Sequence, residues 1–237
     1  MKSKINTFMI MILFLCSIIT VSFSHTSIVN AKIKEPLKIG MEANYPPYNW
    51  TQNTDAHGAV PIDGSKQFAN GYDVQIAKII GKKLHRRVIV EKTVWDGLLP
   101  SLTSGKIDLI IAGMSPTSER RKAIDFSIPY RKSTFVLIVN NASNFATATK
   151  LTEFKGAKLT AQQGTLHYDL IKQLVGAKRL TAMRDFSVMR QSLASGTIDG
   201  YVAEDIEYQS YHRVNPNIVS INLSKMPHFH VNYNDSI

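Results

Sequence analysis

The stretch Leu109-Ile-Ile-Ala-Gly-Met-Ser-Pro-Thr-Ser-Glu-Arg-Arg-Lys-Ala-Ile-Asp-Phe-Ser-Ile-Pro-Tyr130 decides how the chain is read. Its first four residues are a continuous apolar run, which predicts a buried strand. Small residues and Pro116 then open a loop. Thr117 can cap a short helix with Glu119, Arg120 and Arg121 in its first turn. Cations at a helix start oppose the macrodipole. An anion shared between those arginines and free loop N–H groups would reverse that penalty. The stretch therefore predicts a small-anion seat at the carboxyl end of a strand, where open α/β sheets place their ligands.

Outward from this stretch the pattern alternates. Residues 37–41 predict a strand, and Tyr45-Pro-Pro-Tyr48 an extended or turned segment, because each proline restricts its predecessor. Residues 51–71, rich in Asn, Gly, Asp and Pro, predict a long loop. Val74, Ile76, Ala77, Ile79, Ile80 and Leu84 recur at helical spacing over 72–84. A strand over 87–91, a helix over 95–104 and a strand over 107–112 follow. Beyond a longer apolar strand at 133–139 and a loop at 140–150, the rhythm restarts. It runs as strand 157–161, helix 165–175, strand 179–183, helix 186–194, strand 197–203 and helix 204–214. Alternation of this kind argues a parallel α/β sheet in each of two halves, with a cleft between them.

The chain has 237 residues and a formal net charge of +10. Lys2 and Lys4 precede an apolar segment from Ile5 to about Val21, and Val29-Asn30-Ala31 is similar to a peptidase site, so residues 1–31 are expected to be a signal peptide. Roughly 17 apolar residues is borderline for a membrane span, which keeps an uncleaved anchor as the alternative. Cys16, the one cysteine, lies in this segment behind the bulky Leu15, which argues against lipid attachment. Removal of the leader leaves no thiol for disulfides or Cys-based metal or redox chemistry. The remainder stays basic, which suits an anionic envelope surface or an acidic ligand. Lys82-Lys83 and Arg86-Arg87 are short solvated clusters without a recognition motif, so nucleic acid is not expected.

Six blocks, in order, resemble the bacterial extracellular solute-binding proteins for polar amino acids (family 3). They are residues 37–48 with Tyr45-Pro-Pro-Tyr48, Gly71-Tyr-Asp-Val74, Trp95-Asp-Gly-Leu-Leu-Pro-Ser-Leu-Thr-Ser-Gly-Lys-Ile-Asp108, the segment ending at Tyr130, Gln163-Gly-Thr165, and Ser195-Gly-Thr-Ile-Asp-Gly-Tyr-Val-Ala-Glu204. The resemblance implies a type II periplasmic-binding-protein-like α/β fold. Its lobe 1 would be residues 32–139 and its lobe 2 residues 140–226, with a hinge and an interlobe cleft. It implies an exported, monomeric receptor of the extracellular or cell-envelope space that binds a free amino acid and delivers it to an ABC permease. No catalysis and no cofactor are implied.

By the same resemblance, Arg120 grips the ligand α-carboxylate with its planar fork. Ser115 completes that seat, and the Gly113 carbonyl and Glu204 receive the α-ammonium. Gln162 and Thr165 reach the cleft from lobe 2. Tyr45 and Trp95 flank the ligand side chain. Glu42 lies where receptors for basic amino acids carry an acid, and with the two aromatics it would suit arginine, lysine or ornithine.

Each residue also has a plain structural reading: Arg120 as a solvated helix cation, Ser115 as a loop cap, Glu204 as a helix-start acid, Tyr45 and Trp95 as core aromatics, and Glu42 as a strand-end acid. The histidines show no metal spacing, and His228 and His230 are expected to be exposed. A sensory module and a dehydratase on the same fold are the alternative functions. The family's pattern continues past the equivalent of Ile221 with a second hinge strand. Residues 227–237 are therefore expected to be a truncated return segment, with a downstream permease domain as another possibility.

Overall fold

The computed structural model describes residues 34–231; the expected signal peptide and the last six residues of the expected return segment lie outside them. Strand β1 (Leu37–Met41) is buried along nearly its whole length because it lies between two partners. Parallel strands covered on both faces read as unbroken apolar runs for this reason. Its partners are β6 (Val88–Lys92) and β7 (Leu109–Ile110), both parallel to it.

Helix α1 (Tyr72–Leu84) buries Val74 and Ala77 toward this sheet and ends at His85 in the left-handed region. Helix α2 (Trp95–Thr103) buries Leu98. Gly71 sets the approach of α1. At φ +128° its absent Cβ would meet the Tyr48 carbonyl oxygen at 2.2 Å, so only glycine lets the helix start this close to the Tyr48–Asn49 backbone.

The expected loop over 51–71 is corrected. Short antiparallel strands occupy it: β3 (Asn49–Gln52), β4 (Val60–Pro61) and β5 (Phe68–Asn70), joined with β2 (Asn44–Tyr45) in the order β2-β3-β5-β4. Polar side chains that suggested a loop close its turns instead. The Gln52 amide donates to the Thr54 and Ala56 carbonyls, and the Thr51 hydroxyl donates to the Ala43 carbonyl.

The strand expected over 107–112 is confined to β7, which is registered only against Ile39 and Gly40 of β1. An apolar groove of about 180 Å³ lies beside it, lined by residues that include Ile76, Ile80, Leu102, Met114 and Phe126.

The second sheet has the order β10-β9-β11-β8-β12. Its strands are β8 (Phe135–Asn140), β9 (Lys158–Thr160), β10 (Lys178–Arg179), β11 (Gly200–Glu204) and β12 (Ile218–Asn222). It is mixed rather than parallel. β9 is parallel to β10 and β11, whereas β8 runs antiparallel to β11 and β12. Most of the run expected to close lobe 1, residues 133–139, thus lies in β8, the penultimate strand of the lobe 2 sheet, and five of the six residues of β8 are buried.

Helix α3 (Leu166–Leu170) is shorter than expected and passes into a 3-10 turn at Ile171–Gln173. Helices α4 (Phe186–Ala194) and α5 (Asp205–His212) follow the expected positions closely. The two are tied by a buried fork: Arg190 Nε and Nη2 donate to Glu207 at 2.9 and 2.5 Å, and Tyr201 adds its hydroxyl at 3.1 Å. Met226 and Phe229 pack into the lobe 2 core, and the Gln173 side chain pairs with the His230 backbone at 2.7 and 2.8 Å. His228 and His230 are exposed. The described residues from Glu35 onward form one compact unit. Among the described residues no helix is long and apolar enough to cross a membrane, and no His/Cys/Asp/Glu group could hold a metal ion.

Candidate functional site

The ends of strands β1 and β2 and the start of α2 face the loops that follow β9 and β11 across a seam between the two lobes. Polar contacts there come in pairs, one residue from each side. Gln162, just past β9, donates its side-chain amide to both oxygens of Glu42, just past β1, at 2.9 and 3.1 Å. The same nitrogen donates to the Arg184 carbonyl at 3.1 Å. The Thr165 hydroxyl donates to the Gln162 carbonyl at 2.7 Å, which holds that loop in place. Burial raises the Glu42 carboxyl to about 7. Asp185 and Asp96 add to the rise, while Gln162 and the Trp95 backbone N–H oppose it. Glu42, Asp63, Asp185, Lys92 and Arg184 share the lining of a cleft of about 490 Å³.

Arg120 lies in a single 3-10 turn, Arg120–Lys122. Its cap position is Glu119 rather than the expected Thr117, and the Thr117 hydroxyl oxygen, one turn earlier, accepts from the Arg120 N–H at 3.2 Å. The guanidinium folds back to donate to the Ser115 carbonyl at 2.8 Å and reaches over the seam to the Gly164 carbonyl at 3.1 Å. Trp95 donates its indole N–H to the same carbonyl at 3.2 Å, and its ring lies 5.2 Å from the Arg120 guanidinium carbon. Gly164 can approach this closely because it lacks a Cβ, which would lie 2.4 Å from the Asp96 carboxylate. Ser115 is buried beside them. Gly113, at φ +62°, turns the chain out of β7.

Glu204 ends β11 and is only 2% exposed. Tyr45 of lobe 1 donates its hydroxyl to Glu204 Oε2, and His167 Nε2 of α3 lies 3.0 Å from Oε1. The contact is an ion pair when the imidazole carries its second proton. Burial pushes the Glu204 carboxyl up. The positive charge of His167 and the hydrogen bonds to Glu204 outweigh burial and hold it below the ordinary range. The Tyr45 ring stacks on Phe186 of lobe 2, with centroids 4.3 Å apart and planes 5° apart.

The expected residues thus fall into three groups: Arg120 with Trp95 and Ser115, Tyr45 with Glu204, and Glu42 with Gln162 and Thr165. The Gly113 N–H donates to the Tyr130 hydroxyl at 3.2 Å. Arg120 and Glu204 are held by different partners rather than by each other. Sequence reading missed the Gly164 carbonyl, since a backbone acceptor leaves no side-chain signature. It also passed over His167, because the histidines were weighed only for metal spacing.

Two α/β lobes that meet along one seam, with an arginine and a carboxylate brought to it from strand ends, define a solute-binding protein of the type II periplasmic kind. Residues 37–205 match the model of the bacterial extracellular solute-binding proteins, family 3, and the chain belongs to that family.

It is 32% identical over 186 residues to a probable histidine-binding protein of Campylobacter jejuni, covering 78% of this chain and 66% of that protein. It is 29% identical over 185 residues to the L-cystine-binding protein TcyJ of Escherichia coli, covering 77% and 64%. The chain therefore spans just under two thirds of the length of these curated relatives. Among solved structures it is similar to an ancestral arginine-binding protein bound to arginine, with a TM-score of 0.68, 30% identity and 80% coverage of both chains. It is also similar to the substrate binding protein of an amino acid ABC transporter, with a TM-score of 0.71, 28% identity and coverage of 86% and 83%. The family and these relatives bear binding-protein names, in line with the expectation that the chain is no enzyme.

Proposed function

We propose that the chain is the amino-acid-binding component of an ABC importer, acting outside the cytoplasmic membrane as a monomer that hands its solute to a permease. One observation supports this reading above the rest: Glu42, Tyr45, Trp95 and Arg120 of lobe 1 all hydrogen-bond across the seam to Gln162, Gly164 or Glu204 of lobe 2. An α-carboxylate entering there would take the Arg120 fork from two neutral carbonyls and give a charge-assisted pair in return. Glu204 and the Gly113 carbonyl would receive the α-ammonium, with Ser115, Gln162 and Thr165 completing the cleft.

The preferred solutes are basic. Glu42 and Asp185 line one cleft, Asp96 lies near enough to raise the Glu42 carboxyl, and a cationic side chain offsets their mutual repulsion. Relatives named for histidine, arginine and cystine leave the choice among polar amino acids to experiment. Titration calorimetry with L-arginine, L-lysine, L-ornithine, L-histidine, L-glutamine and L-cystine is the test. One-to-one binding led by a basic amino acid supports the proposal, and no binding to any of the six overturns it.

A further inference from the structure

A buried hydrogen-bond chain runs behind the ligand loop through two residues that have no role in the site described above. Asp73 stands in the first turn of α1 with none of its surface exposed. Its backbone N–H donates to the Tyr48 carbonyl at 2.9 Å, an approach made possible by Gly71. Asn49 Nδ2 donates to Asp73 Oδ2 at 2.8 Å, and the Tyr130 hydroxyl donates to Asp73 Oδ1 at 3.0 Å. The same Tyr130 oxygen accepts from the Gly113 backbone N–H at 3.2 Å. Tyr72, beside Asp73 on α1, packs against the Tyr130 ring at 5.9 Å and donates its hydroxyl to the Tyr130 carbonyl at 3.3 Å. Both ends of the 113–130 segment are therefore fastened to one another and to α1.

This arrangement is costly. Burial raises the Asp73 carboxyl to about 7, against the lowering effect of Asn49 and Tyr130. One use for so costly a buried group is to fix geometry. The geometry fixed here is that of Gly113. A left-handed glycine moves easily between backbone conformations; a hydrogen bond to its N–H fixes the Ala112–Gly113 peptide plane and leaves only the φ and ψ torsions of Gly113 between that plane and the carbonyl.

We propose that Asp73 and Tyr130 are positioning residues for the solute α-ammonium: Tyr130, aimed by Asp73, clamps the Gly113 N–H and so anchors the peptide plane from which the carbonyl that receives the ammonium departs. The proposal rests on the reading of the site given above.

The test is titration calorimetry on the full chain. It uses the tightest binder among L-arginine, L-lysine, L-histidine and L-cystine, and the same compound without its α-amino group. Tyr130→Phe and Asp73→Ala are expected to weaken the amino acid about tenfold, as for a lost buried hydrogen bond, and to change the desamino analogue by less than about twofold. Asp73→Asn, which keeps an oxygen acceptor for Tyr130, is expected to restore most of the amino-acid affinity. Equal losses for both compounds overturn the proposal, since general loosening of the loop does not distinguish them, and so does the absence of any loss. A wild type that binds none of the amino acids overturns the site reading itself. If Asp73→Ala does not fold, Tyr130→Phe decides alone, because its ring stays packed on Tyr72.

Discussion

The Gln162 side chain spans the seam between the lobes and donates one nitrogen to both carboxylate oxygens of Glu42, at 2.9 and 3.1 Å. The bond favours the ionised carboxylate, while burial favours the protonated one, and the balance puts Glu42 at about 7. A cationic side chain beside Glu42 would shift that balance toward ionisation and release protons.

We expect arginine to be preferred over its neutral isostere citrulline at about pH 8 and the preference to shrink toward about pH 5.5, as Glu42 takes up a proton. Glu42→Gln should lower the arginine-to-citrulline affinity ratio by tenfold or more and flatten its pH dependence. An unchanged ratio in that variant would remove Glu42 from the specificity argument.

The same raised value makes a stability prediction. A carboxyl whose folded value exceeds its unfolded one stabilises fully below the unfolded value, and that contribution is lost as pH rises through the folded value. For Glu42 the window runs from the ordinary 4.5 to about 7. Wild type should gain Tm relative to Glu42→Gln on acidification from about pH 8 to about pH 5. A constant difference across that range would contradict it.

Arg120→Ala should weaken every amino acid alike, by about 2–5 kcal/mol, the usual cost of breaking a buried charged pair. Arg120→Lys keeps the charge but not the fork and should fall between. Calorimetry across several side-chain types checks this; retention of wild-type affinity by Arg120→Ala would assign the carboxylate seat elsewhere.

Glu204 behaves oppositely to Glu42, since its depressed value gives stability above the ordinary carboxylate range that is lost as pH falls through it. His167→Leu removes the cation that depresses it. That variant should be less stable than wild type near neutrality, and the deficit should shrink as pH falls through the carboxylate range. Guanidinium unfolding at several pH values measures both effects, and a deficit that stays constant or grows on acidification would refute the role given to His167.

Arg190→Ala should cost about 3–5 kcal/mol, because it leaves the fully buried Glu207 without its fork. Urea unfolding is the readout. A loss below about 1 kcal/mol, the range of surface pairs, would mean that Glu207 is solvated in solution.

Legibility followed periodicity. Helices α1, α2, α4 and α5 were readable because their apolar residues recur at helical spacing or their starts carry clear signals. The sheet of β2 to β5 was not, since strands of two to four residues in polar, turn-forming sequence leave too little alternation to detect. The side assignment of β8 was hidden for another reason: an all-apolar strand is compatible with either sheet, and only pairing with β11 and β12 assigns it. In the site, residues carrying charge announced themselves. The partners that aim them, Gln162 on Glu42 and Tyr45 on Glu204, depend on folding that joins positions 120 and 159 apart in the chain.

The carbonyl of Gly164 serves two donors from the opposite lobe, the Trp95 indole and the Arg120 guanidinium. A solute that claims Arg120 therefore exchanges one partner for another, and the free energy released on loading is a difference rather than a sum. On the proposed reading, if the Arg120–Gly164 bond must open before a solute enters, the observed dissociation constant is the intrinsic one divided by the fraction of open molecules. Weakening the Gly164 acceptor's grip, for example by altering Trp95 alone, would trade rigidity for capture rate. On the proposed function, the tenacity of the chain toward its solute is thus set partly by how firmly it holds itself.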